Sequence, residues 1–92
     1  MVVLCITTAI HSAFAICLFE NTTENGYYND SNVHATYNQM TKENCSDECC
    51  EASSDCVSYI YDSIDSTCIL ISRLGHTFVD DESIVSYFKS PP

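Results

Sequence analysis

The sequence is poor in positive charge. Lys42, Arg73 and Lys89 are its only basic residues beside His, against 13 Asp and Glu, and the formal net charge is −10. Such a chain is repelled by a nucleic-acid backbone or an anionic membrane, so no nucleic-acid partner is expected. Glycine occurs only twice, which leaves no loop to cradle a phosphate, and there is no G-x-S-x-G elbow. No stretch reaches the roughly 18 consecutive apolar residues of a membrane-spanning helix, so no membrane span is expected. There is also no second C-x2-4-C unit. Cys45, Cys49 and Cys50 with His34 or His76 therefore make a poor zinc set, and an oxidising compartment would consume their thiols. Asp80, Asp81 and Glu82 lack the alternating spacing of a calcium loop and read as a solvated turn. His76 follows Gly75 in a turn and has no nucleophile to serve. The expectation is no metal, no cofactor and no catalytic residue: not an enzyme.

What is present is an apolar beginning and many cysteines. Val2 to Ile16 is apolar except at Thr7, Thr8, His11 and Ser12, and it contains Ala13-Phe14-Ala15, an A-x-A cleavage pattern. It reads as a secretory signal peptide over residues 1–15, although it lacks the basic start of such peptides; a short buried helix or strand is the plain alternative. The remainder, 16–92, is one domain, of a size at which a hydrophobic core alone gives little net stability. Cys5 leaves with the signal. Cys17, Cys45, Cys49, Cys50, Cys56 and Cys68 remain, an even number that reads as a disulfide framework in a secreted, extracellular chain. Three N-x-S/T sequons, at Asn21, Asn29 and Asn44, agree with export and are candidate glycosylation sites.

Residues 16–32 form a polar amino-terminal segment, read as a loop over 20–32. The folded domain is expected over 33–90. Val33 to Tyr37 has strand-like composition. Thr41 has the character of a helix N-cap, and the helix is expected from about Lys42 to Ser53, with Cys45, Cys49 and Ala52 on one face. Glu43 and Asp47 lie in its first half, where the helix dipole favours carboxylates. Cys56 to Tyr61 alternates as a strand, with Tyr59 and Tyr61 on one side and Ser58 and Ile60 on the other. Asp62–Thr67 is a turn, Cys68–Ile71 the return strand of a hairpin, and Ser83–Phe88 a closing strand. Turns are expected at Leu74–His76 and Asp80–Glu82. The fold class is α+β: one helix packed on a small antiparallel sheet and stapled by disulfides.

Six cysteines allow 15 pairings, and spacing alone does not choose among them. Cys45-x3-Cys49-x6-Cys56, then x-x-Tyr59-x-Tyr61, then Cys68-x-Leu70, resembles the core of the PAN/apple family over about residues 33–88. Ser86-Tyr87-Phe88 resembles that family's closing strand. The resemblance implies the pairs Cys45–Cys68 and Cys49–Cys56, which would lock the helix to the hairpin. No cysteine follows Cys68, so the disulfide that joins the two ends of apple domains is missing. Cys50 lies outside the family pattern, about 140° round the helix from Cys45. Parity suggests that it pairs with Cys17; the rival is that one or both are free or join two chains.

The resemblance implies a secreted, non-catalytic recognition module that binds an extracellular protein or glycan, either alone or as a piece of a longer protein. Tyr59, Tyr61 and Tyr87 could add to a contact surface, although packing of the sheet against the helix explains Tyr59 and Tyr61 as well. Tyr27 and Tyr28, in the polar segment, are the stronger ligand-binding candidates. The alternative is a stand-alone effector such as a protease inhibitor or a defence peptide. Residues 73–82, with Arg73, are the only candidate inhibitory loop, and the acidic balance argues against a membrane-active peptide.

Overall fold

The computed structural model describes residues 17–22 and 24–90. The expected signal peptide lies outside the described residues. Among them seven strands and one α-helix follow in order: β1 Phe19–Asn21, β2 Gly26–Tyr28, β3 Asn32–Tyr37, α1 Lys42–Glu51, β4 Ser58–Asp62, β5 Thr67–Arg73, β6 Phe78–Asp80 and β7 Ile84–Lys89. Five strands form an antiparallel sheet in the order β1-β7-β4-β5-β3, and β2 pairs with β6 in a separate ribbon. The expected α+β architecture, one helix on a small antiparallel sheet with three disulfides, is what the chain adopts.

The helix begins where its cap predicts. Thr41 has extended backbone, and its Oγ1 accepts the Asn44 N–H at 3.1 Å. It ends earlier than expected. Ala52 closes it, and a short 3-10 turn, Ser53–Asp55, follows with Ser53 at φ 55°. No basic residue occupies the last turn. Lys89 of β7 supplies the charge from a distance, donating its Nζ to the carbonyls of Cys49 and Ser53 at 2.9 and 2.8 Å. Only Cys45 and Cys49 of the helix are fully buried. Cysteine, rather than an apolar stripe of Leu and Ile, anchors it.

The disulfides pair Cys45 with Cys68, Cys49 with Cys56 and Cys17 with Cys50, with Cα atoms 5.6, 5.2 and 5.7 Å apart. Cys45–Cys68 ties the helix to β5. Cys49–Cys56 ties it to the segment entering β4. Cys17–Cys50 ties it to the chain entering β1. Loop-closure entropy makes the pair of separation 7 worth about 2.5 kcal/mol and that of separation 23 about 3.5 kcal/mol, each taken singly.

The sheet has two unlike faces. On one, Cys45, Cys49, Cys56, Tyr59, Cys68 and Leu70 form a buried cluster, flanked by Phe19, Ala35, Tyr37, Met40, Ala52, Tyr61 and Tyr87. Tyr61 donates its hydroxyl to the Met40 carbonyl at 2.6 Å. On the other face the alternation puts Ser58, Ile60, Ile71 and Ser86, all buried. The β2–β6 ribbon lies on this side. Ser86 Oγ donates to the Gly26 carbonyl at 2.6 Å, and Tyr28 meets Phe88 of β7 edge-on at 6.3 Å.

The loop expected over 20–32 is therefore corrected: it contains the end of β1, all of β2 and the start of β3. Each of the first two is three residues long, too short for alternation to show, and their partners are β7 and β6 near the other end of the chain. The turn expected at Asp80–Glu82 begins one residue later, because Asp80 is the last residue of β6. β4 starts at Ser58 rather than Cys56, and β5 is longer than expected.

Candidate recognition groove

β1, β7 and β4 lie side by side, so residues from both ends of the chain meet beside the helix. Tyr59 pairs across from Tyr87, and Phe19 pairs across from Lys89, one same-face step along β7. The Tyr59 and Tyr87 rings stack at 4.7 Å with 14° between their planes. Phe19 meets Tyr59 edge-on at 5.0 Å. Tyr59 is 2% exposed, whereas Phe19 and Tyr87 are half-buried. The first half of α1 forms the opposite wall. Lys42 and Ser46, and likewise Glu43 and Asp47, are one helical turn apart and share a face. Together these seven residues line an open groove of about 400 Å³.

The groove joins an aromatic floor to a mixed-charge wall. The Lys42 ammonium lies over the Tyr87 ring, 5.3 Å from its centroid. Burial pushes the Tyr59 hydroxyl up to about 12; the charges of Tyr87 and Glu43 add to the rise, and a hydrogen bond with Ser46 partly offsets it. Tyr59 therefore stays protonated at neutral pH. Rings, carboxylates, an ammonium and a hydroxyl together suit binding by stacking, ion pairing and hydrogen bonding.

The structure places the other candidates elsewhere. Tyr27 and Tyr28 are half-buried in β2, beyond the opposite face of the sheet. Tyr28 packs edge-on against Phe78 at 5.2 Å and, with Phe78, Thr22 and Glu24, borders a shallow hollow of about 220 Å³. Much of its ring area thus has a structural use. Asn21, Asn29 and Asn44 are exposed: at the end of β1, in the turn after β2 and in the first turn of α1. The candidate inhibitory loop, 73–82, is largely tied down. Residues 78–80 belong to β6, the His76 and Thr77 amides donate to Asp30 Oδ1 at 2.8 and 3.1 Å, and the Gly75 amide donates to Ser31 Oγ at 2.9 Å. The Thr77 amide first, and then that of His76, hold the Asp30 carboxyl below its ordinary value. Among the described residues no group of three or more His, Cys, Asp or Glu is placed to hold a metal ion, and no helix is long and apolar enough to cross a membrane.

Sequence reasoning noticed Tyr59 and Tyr87 but not the groove. Phe19 escaped because it lies in the polar segment 16–32, for which no strand is expected. Lys42 and Ser46 carried only the four-residue helical spacing as a signal. The chain matches no protein-family model, and it finds no match among curated proteins or solved structures.

Proposed function

We propose that the chain is a secreted, non-catalytic recognition module of PAN/apple-like type, and that its ligand sits in the groove between α1 and the β1–β7 edge. The observation that carries this reading is the aromatic floor. Phe19 and Tyr87 are packed against the core yet keep part of their rings open, and they face polar side chains across an open hollow. Three disulfides in so small a fold fit an oxidising compartment such as the extracellular space. The cysteine pairs and the helix-on-sheet arrangement agree with the family resemblance.

The test is to probe the refolded, fully oxidised chain on peptide and glycan arrays beside Ser46→Arg, which fills the groove from its helical wall, and Tyr87→Ala, which removes its floor. Both variants should lose about tenfold or more of whatever binding the parent shows. Equal binding by parent and both variants would rule the groove out.

A further inference from the structure

We infer that the ligand is a basic segment of a partner protein, which places a lysine or arginine side chain in this groove; the inference rests on the groove being the recognition site. Three observations converge on a cation. First, the outer side of the Tyr87 ring already attracts one. Its other side is stacked on Tyr59, while the Lys42 ammonium stands 5.3 Å from its centroid. Second, Glu43 and Asp47 line the same hollow, so a second ammonium or guanidinium entering it finds two carboxylates within the wall. Third, the chain carries a net charge of −10, which draws a basic partner from a distance and repels an acidic one.

Lys42 then acts as the internal occupant of the cation position. It is exposed, at the first position of the helix, and swings out when a partner cation takes its place over the ring. This gives the inference a sign that other ligands would not share. Removing Lys42 should strengthen binding of a basic segment, because it removes both a competitor and a like charge. For an acidic ligand, Lys42 would be the anchor, and its removal would weaken binding.

The experiment titrates the oxidised chain with a short lysine-rich peptide, the same peptide acetylated on every Nε, and neutral oligosaccharides. The variants are Lys42→Met, the groove pair Glu43→Gln with Asp47→Asn, Ser46→Arg, and a distant exposed pair, Asp65→Asn with Glu82→Gln, which removes the same charge. The groove pair should weaken the lysine peptide about tenfold and the distant pair less than about twofold. Lys42→Met should tighten it about threefold. Acetylation should abolish binding. Equal weakening by the two pairs would reduce the attraction to diffuse charge and overturn the inference, as would weaker binding by Lys42→Met or no binding of the lysine peptide. Neutral sugar binding that Ser46→Arg blocks, without lysine-peptide binding, would overturn the cationic ligand yet keep the groove. Indifference of every bound probe to Ser46→Arg would remove both readings.

Discussion

The two faces of the five-stranded sheet are held by different means. The helix face is covalent: all three disulfides join α1 to the segments around it, and four of the six bonded cysteines are wholly buried there. Among the described residues the ribbon face has no such bond. It rests on the buried Ile60 and Ile71, on the Tyr28–Phe78 and Tyr28–Phe88 contacts, and on hydrogen bonds such as Ser86 to Gly26 and Asn29 to Thr77. A small domain has too little apolar area to stabilise two cores equally. The cross-links lower the entropy of the unfolded chain on one side, and the other side is left to weak contacts, which should open first. The groove belongs to the stapled side. Its helical wall is held by Cys45, Cys49 and Cys50, and a rigid wall spares a ligand the cost of ordering it.

The largest effect should come from removing the staple. Cys45→Ala with Cys68→Ala should cost about 3.5 kcal/mol, a large share of what a domain of this size can have, read as a collapse of the urea midpoint. A change below about 1 kcal/mol would mean that apolar packing, not the cross-link, secures the helix face.

A smaller and local loss should follow from Gly26→Ala. Gly26 has φ +149°, and a Cβ there would run into the Val79 carbonyl and the Phe78 ring. The expected cost is about 1–3 kcal/mol, confined to the ribbon. Amide exchange should speed up over 26–28 and 78–80 and stay slow in β4 and β5. Equal acceleration on both faces would show that they open together.

The smallest effect concerns pH. Asp30 has its pKa lowered by the Thr77 and His76 amides, so the charged form is favoured in the fold. The stabilisation is present above the ordinary carboxylate value and is lost as pH falls through the lowered one. Exchange at the 76 and 77 amides should therefore lose protection in acid, beyond the intrinsic pH dependence of exchange. Asp30→Asn should remove that added dependence while leaving the helix face unchanged.

Legibility followed sequence distance. The helix start was readable because Thr41 lies beside the amides it caps. The β4–β5 hairpin was readable because an alternating run and an apolar run adjoin across a short polar turn. β1, β2 and β6 were not: three residues hold too little pattern, and Phe19 pairs opposite Lys89 at the far end of the chain. The groove was lost with them, since its floor requires β1 and β7 to be neighbours.

The sequence by itself determined the acidic surface, the scarcity of glycine and basic residues, the helix cap and the supply of cysteines for bonding. These depend on composition and on neighbours a few residues apart. Only the tertiary structure decided that Lys89 closes the helix, that the ribbon covers the second face, and that Phe19, Tyr59 and Tyr87 meet across from Lys42 and Asp47. The physical reason is the same each time. Contacts between distant strands are selected by the burial and backbone pairing of the whole sheet, and no short stretch of sequence carries that information.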